Sequence, residues 1–350
     1  MELLRRLEAQ ARATLPEPVY DLFAGGAGDE VTMADNLAAW QRLWLRPSQL
    51  TGAVPAETAV ELLGARLNAP LLLAPVAALR LLHREGEAGA ARAAESAGIG
   101  YCLSTRATTD LADVARAAPG VVRWFQLYVQ RDRGRVTDVL QRAKAHRYRH
   151  VVLTVDLPVG GRRERELRHG PIPLPAGVRL ASHLGVDAPG GVKPPAGGWA
   201  PLTWADVGWV REASGLDVVV KGVLTAEDAR LALDHGAAAI VVSNHGGRQI
   251  DGCVPTAVAL PEVVEAVAGR APVLVDGGIR SGADVVRALA LGAQAVLVGR
   301  PWLWGLATDG RDGVRQVLDA LVDDLRRTLS LIGARTPQQV GRHHVKLRDW

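Results

Sequence analysis

Seven consecutive residues, Ser243-Asn244-His245-Gly246-Gly247-Arg248-Gln249, bring together side chains that could act on a carboxylic acid. The histidine is a base near neutral pH, and the arginine just after it offers a planar two-point fork for a carboxylate. Gly246 and Gly247 allow a tight turn and close approach to a flat ligand. The segment runs on to Ile250-Asp251 and follows the apolar run Ala238 to Val242, which reads as a buried strand. A Gly-rich turn with a capping histidine is the competing reading. Other apolar runs also end in polar groups: Gln126 and Tyr128 after Val121 to Phe125, Thr154 and Asp156 at the end of Val151 to Val155, and Lys221 after Val218 to Val220. A lysine there is costly to bury unless it meets an anion or an electron-rich ring; otherwise it reaches solvent at a rim. Arg162 and Arg163 could close a clamp with Arg248, although each arginine alone is more often a solvated surface residue than a ligand contact.

Those side chains sit at the ends of a recurring pattern. Pro70 to Ala74, Gly100 to Leu103, Val121 to Phe125, Val151 to Val155, Asp217 to Val220, Ala238 to Val242, Val273 to Val275 and Ala295 to Val298 all read as buried strands. Amphipathic segments such as Gly86 to Ala97, Thr225 to His235 and Ser281 to Leu291 lie between them, with Thr225 and Ser281 as N-caps. Parallel neighbours need crossovers, and eight repeats spaced by about twenty to thirty residues fit a closed (β/α)8 TIM barrel. An open doubly wound sheet is the alternative, weakened because no GxGxxG follows the first strand. We expect a single domain over 1–350, with 1–69 as an N-terminal helical cap over one barrel end. Residues 157–201, rich in Pro and Gly in their middle, read as a long lid loop after strand 4. In such a barrel the loops after strands 7 and 8 commonly build a phosphate site beside a helix N-terminus. Here they are Asp276-Gly277-Gly278-Ile279-Arg280 and Gly299-Arg300, with Asp276 able to accept hydrogen bonds from ligand hydroxyls.

Composition narrows the classes. The chain has 350 residues, 48% hydrophobic and 22% charged, enough for a sizeable core. Its net charge of +4 comes from arginines interspersed with acids, with no basic stripe for nucleic acid. The two cysteines, Cys102 and Cys253, show no metal-ligand spacing and suit a reducing interior. Met1 to Ala13 lacks the apolar core of a signal peptide, and no apolar stretch reaches the length of a membrane span. The expectation is a cytoplasmic protein with no metal, nucleic acid or membrane partner.

Taken together, the motifs resemble the FMN-dependent 2-hydroxy acid oxidising family, which includes glycolate oxidase, lactate oxidase and mandelate dehydrogenase. The likeness runs nearly end to end: Val19-Tyr20-Asp21 with Gly26-Ala27, Ala74-Pro75 with Glu85-Gly86-Glu87, Phe125-Gln126-Leu127-Tyr128, Leu153-Thr154-Val155-Asp156, Gly161-Arg162-Arg163, Val220-Lys221-Gly222, and the His245 and Asp276 segments. The resemblance implies FMN as cofactor and oxidation of an (S)-2-hydroxy acid to the 2-oxo acid. It implies His245 as catalytic base held by Asp156, with Arg163 and Arg248 gripping the substrate carboxylate and Tyr128 hydrogen-bonding the substrate. Lys221 would stand near the flavin N1. Ala74, Pro75, Val76, Ala77, Ser104, Gln126, Thr154 and Ser243 would line the isoalloxazine, and Asp276, Gly278, Arg280, Gly299 and Arg300 would hold the ribityl phosphate. It further implies a homo-oligomer, a tetramer or octamer.

Two positions depart from the family's pattern. Leu22 stands where many relatives carry a tyrosine that helps bind the carboxylate, and Arg106 where a tryptophan is frequent. Leu22 removes a donor and leaves an apolar wall. Arg106 either brings a cation to the pocket rim or points to solvent or to a lid carboxylate. Both changes argue for a substrate larger than lactate, mandelate-like or long-chain. Without a haem-domain signature or a membrane-anchoring stretch, oxygen is the expected electron acceptor. The alternatives are a flavin barrel acting on a phosphorylated, amide or thioester substrate, and a flavin-binding protein without catalysis.

Overall fold

The computed structural model describes residues 2–52, 55–181 and 199–348. Eight parallel strands close into a barrel: β1 (Leu71–Leu73), β2 (Gly100–Ser104), β3 (Val122–Leu127), β4 (His150–Thr154), β5 (Asp217–Val223), β6 (Ala239–Val242), β7 (Val273–Val275) and β8 (Ala295–Val298), with β8 pairing back onto β1. Each strand is short and apolar because both its faces are covered. Leu72, Cys102, Trp124, Val152, Val219, Val241, Leu274 and Leu297 point inward and form one cluster. Their neighbours, among them Leu73, Phe125, Val151, Val220 and Val242, point outward into a second core shared with the helices.

The helices are α1 (Glu2–Thr14), α2 (Glu17–Ala24), α3 (Val31–Gln41), α4 (Gly86–Ala97), α5 (Leu111–Ala117), α6 (Arg133–Ala145), α7 (Glu164–His169), α8 (Ala205–Ser214), α9 (Ala226–Asp234), α10 (Thr256–Val267), α11 (Gly282–Ala290) and α12 (Arg300–Ile332). Thr225 and Ser281 cap α9 and α11, their hydroxyls accepting from Asp228 N and Asp284 N. Gln126 and Lys221 lie within β3 and β5 rather than beyond them, because both strands run further than their apolar cores suggest.

The N-terminal segment reaches both barrel ends, not one. A hairpin of Val60–Leu62 and Ala65–Leu67 sends Val60, Leu62 and Leu67 into the inner cluster. It sits at the N-terminal end, where Arg149, just before β4, donates to Gly64 O at 3.2 Å. Helix α3 lies at the opposite end. Asn36 and Asn244 exchange amide hydrogen bonds of 2.9 Å, and Trp40 Nε1 donates to Gly277 O at 2.8 Å. Leu43–Leu45 pairs antiparallel with Val345–Leu347, tying two ends of the chain together. Of the expected lid, residues 157–181 and 199–201 are described and include α7; of its Pro/Gly-rich middle, Gly170 to Gly198, residues 182–198 lie outside the described residues.

Candidate active site

The C-terminal ends of the strands surround a cavity of about 550 Å³. His245, just past β6, takes φ +57°, a left-handed conformation uncommon outside glycine and often found at functional sites. Its Nδ1 lies 2.9 Å from Asp156 Oδ1, and its Nε2 lies 3.4 Å from the Tyr128 hydroxyl. Gly222 makes room for the carboxylate: it has φ +115°, and a Cβ there would fall 2.7 Å from Asp156 Cβ. The β5–β6 register shifts across the same point, between Lys221 and Val223.

Burial pushes the His245 imidazole below its ordinary range. Asp156 pulls the other way without prevailing, because Lys221 and Arg163 add to the downward push. The ring is therefore neutral at pH 7 and able to take a proton. Burial alone would raise the Asp156 carboxyl, but His245 and then Lys221 hold it below the usual carboxylate range. Its Oδ2 is buried with no hydrogen-bond partner among the described residues. Burial, then the Asp156 charge, pushes the Tyr128 hydroxyl up, so it remains a donor.

Lys221 Nζ donates to Ser243 Oγ at 2.9 Å and lies 3.1 Å from Asp276 Oδ2. Burial opposes its charge, but Asp276 and Asp156 outweigh burial and the ammonium persists well above neutral pH. Gln126 Nε2 donates to Thr154 Oγ1 at 3.0 Å, while its Oε1 accepts from Ser104 Oγ at 3.3 Å. The β1 loop from Ala74 to Ala77 forms another wall. Buried Glu87 steadies it by accepting from Leu79 N at 3.1 Å and Thr108 N at 2.7 Å.

Beyond β7 and β8 the cavity becomes cationic. Asp276, Gly278, Arg280, Gly299 and Arg300 line it, with α12 starting directly after Gly299. Gly278 has φ +82°, and a Cβ there would meet Asn36 O at 2.1 Å. Arg300 donates from Nε to Ala24 O at 3.1 Å and from its terminal nitrogens to Gly246 O and Gly25 O at 3.0 Å. Burial, then the Arg248 and Arg280 cations, pushes Arg300 down to about 9, and burial also lowers Arg280. Crowded cations beside a helix N-terminus favour a phosphate dianion. Two observations fit a flavin mononucleotide here. The Gly299 Cβ position meets nothing nearer than Ala74 Cβ at 4.0 Å, and Asp276 Oδ1 is buried without a partner among the described residues.

Beside Arg300, which shares the Gly25 carbonyl with Arg248, Arg163 donates from Nε to Arg248 O at 3.1 Å and lies 3.3 Å from Glu166 and Gln249 acceptors. Arg248 donates to Gly25 O at 2.6 Å and Glu166 Oε1 at 2.9 Å. Burial, then Arg163, lowers Arg248 to about 10, so it stays charged. Leu22 and Arg106 both line the cavity, and burial lowers Arg106 to about 10 as well, with Tyr128, Arg163 and Glu166 within reach of its charge. Arg162 instead points outward, 2.5 Å from Glu164.

The expected residues thus converge, with Gln126, Asp156 and Ser243 behind the lining as supports. Sequence reading missed Glu166, Leu167, Ile172 and Trp199, all from the insertion. It also missed Asn36, whose role depends on a partner far along the chain.

Comparison with known proteins shows the family to which the chain belongs. The family model for FMN-dependent dehydrogenase matches residues 11–347. The chain is 44% identical to 4-hydroxymandelate oxidase of Amycolatopsis orientalis, covering 98% of both chains. It is 42% identical to glycolate oxidase of Spinacia oleracea, covering 98% of this chain and 95% of that one. A crystal structure of mandelate oxidase with (S)-4-hydroxymandelic acid superposes with a TM-score of 0.92 at 42% identity, covering 98% of each. A match of this length and identity places the chain in the FMN-dependent dehydrogenase family, as an FMN enzyme that oxidises 2-hydroxy acids.

Proposed function

We propose that the substrate is an (S)-2-hydroxy acid larger than lactate, aryl or long-chain, and that oxygen is the electron acceptor. The observation that carries the size reading is that apolar side chains, Leu22, Ile172 and Trp199 with the more exposed Leu167, line the cavity that holds His245. The mandelate oxidase solved with (S)-4-hydroxymandelic acid supports an aryl group there. Arg106 would meet a polar group at the far end of the side chain.

In this reading Arg163 and Arg248 hold the carboxylate, and the Tyr128 hydroxyl hydrogen-bonds the substrate. His245 receives a proton at Nε2 while Asp156 keeps Nδ1 protonated and stabilises the resulting imidazolium. Bound FMN supplies the two-electron acceptor. Ala74, Pro75, Val76, Ala77, Ser104 and Thr154 would line its ring, with Gln126 and Ser243 in support and the Lys221 charge beside it. Asp276, Gly278, Arg280, Gly299 and Arg300 would take its ribityl phosphate. The described part of the insertion, including α7 and Trp199, lines the cavity and in this reading helps exclude water.

An anaerobic flavin-reduction screen over glycolate, lactate, mandelate and longer acids tests the size reading. Mandelate-like or longer acids should reduce the flavin faster than glycolate, and Leu22→Tyr should narrow that gap. An apolar pocket discriminates by about 1–3 kcal/mol per methylene-sized change, so the preference is graded. Glycolate or lactate as the most efficient substrate would defeat the size reading. Rapid reoxidation by air, with peroxide released, tests the acceptor. We further infer a cytoplasmic homotetramer: both cysteines are free, as a reducing interior requires, and the assembly follows from the resemblance to the family. Light scattering tests the assembly.

A further inference from the structure

Arg163 and Arg248 do not present open forks. Glu166 Oε1 accepts from Arg248 at 2.9 Å and from Arg163 at 3.3 Å, and Glu166 Oε2 lies 3.5 Å from the same Arg163 nitrogen. One carboxylate therefore bridges two guanidinium groups, which is what the carboxylate of a bound acid would do. Glu166 lines the same cavity, and its side chain is only 24% exposed, against 20% for Arg163 and 19% for Arg248.

The carboxylate is delivered from the insertion, not from the barrel. Arg163 is the N-cap of α7, so Glu166 follows it by one helical turn, while Arg248 comes from the β6 loop. The other flank of α7 is fastened to the N-terminal segment, with Arg165 2.5 Å from Glu30 at the N-cap of α3 and His169 Nε2 2.8 Å from Asp21 in α2. Those ties hold α7 in place without using either guanidinium of the clamp. Two neighbouring cations in a largely buried pocket are costly without a counter-charge, and Glu166 provides one.

We infer that Glu166 sets substrate affinity: its carboxylate competes with the carboxylate of the acid for the same donors, so binding is an exchange of one carboxylate for another. The inference rests on Arg163 and Arg248 being the carboxylate clamp. Glu166 keeps the two guanidinium groups paired in the free enzyme and gives up some or all of those hydrogen bonds when the acid arrives. The cost of that exchange weakens binding of every acid the clamp accepts. Removing the negative charge while keeping the shape therefore tightens binding, whereas a residue that merely orients the arginines would show the opposite sign on removal.

The test is calorimetric titration of the FMN-loaded enzyme with benzoylformate, the 2-oxo acid of mandelate, in wild type, Glu166→Gln, Glu166→Asp and Arg248→Lys. Hydrogen bonds to charged groups are strong enough that Glu166→Gln should tighten binding about tenfold. The KM for (S)-mandelate should fall in step. Glu166→Asp, one methylene shorter, cannot span both arginines and should tighten binding by a smaller factor. It decides the matter if Glu166→Gln fails to retain FMN. Unchanged or weaker binding in the folded Glu166 variants overturns the inference. Arg248→Lys checks the clamp separately: if it binds benzoylformate as wild type does, the carboxylate clamp is wrong, whatever the Glu166 variants show.

Discussion

Replacing Asp156 with asparagine should slow flavin reduction strongly while leaving FMN in place. The carboxylate meets His245 Nδ1 at 2.9 Å and is the residue that most raises the basicity of the ring against burial. A hydrogen bond to a charged group contributes about 1.5–3 kcal/mol, or about 10–100-fold in rate at roughly 1.4 kcal/mol per tenfold. Asparagine can also donate its amide to Nδ1, forcing the proton onto Nε2, the nitrogen that must be free. In a serine-protease triad the same exchange costs about 10⁴-fold. The expected loss lies between about 10² and 10⁴. The pH profile carries a second signature: losing the Asp156 charge lowers the His245 pKa further, so the acid limb of the reduction rate should move to lower pH. Anaerobic stopped-flow reduction by (S)-mandelate, from pH 5 to 9, measures both. A rate within a few-fold of wild type with an unmoved acid limb would refute the pairing as the source of the base's strength.

Further outcomes follow from other parts of the structure. Arg248→Lys should weaken substrate capture severely, because an ammonium cannot make the two-point contact of a guanidinium; unchanged kcat and KM would place the carboxylate elsewhere. Gly278→Ala drives a methyl into the Asn36 carbonyl at a left-handed backbone position, so Tm and FMN affinity should both fall, and an unchanged melting curve would show that α3 can shift away. His150 is buried against Trp124 and its pKa is lowered to about 4, chiefly by burial. The unfolded chain therefore gains a proton that the folded one refuses as pH falls from about 6.5 towards 4, and stability drops with acidification. At pH 5 this amounts to about 2 kcal/mol. His150→Phe should flatten the pH dependence of urea unfolding between pH 7 and 5, and an equal slope in both proteins would refute it.

The barrel was legible because its strands are covered on both faces and so read as uninterrupted apolar runs. The ends of those runs marked the site, since Asp156, Lys221 and His245 are polar groups where burial would otherwise exclude them. What escaped depends on pairings between distant parts of the chain. The hairpin at Val60–Leu67 is short, and its alternation around Leu63-Gly64 becomes meaningful only once the barrel offers a hole to fill. The strand at Leu43–Leu45 finds its partner at Val345–Leu347, with no local pattern to announce it. Glu166 looked like one more charge on a polar segment, because Arg248, its tighter partner, arrives from another barrel unit. The cationic end of the cavity was readable as arginines near glycines. That Arg300 spends three donors on backbone carbonyls of α2, the α2–α3 turn and the β6 loop was not.

The most direct measurement is flavin reduction in His245→Ala under anaerobic (S)-mandelate, beside wild type. The imidazole is not part of the cationic phosphate end, so the variant should remain yellow and FMN-loaded. Positioned general bases contribute about 10²–10⁴-fold, and the bleaching rate should fall by that much. A variant that holds FMN and bleaches at a near-normal rate would contradict the assignment of His245 as the base on which the whole account of the site depends.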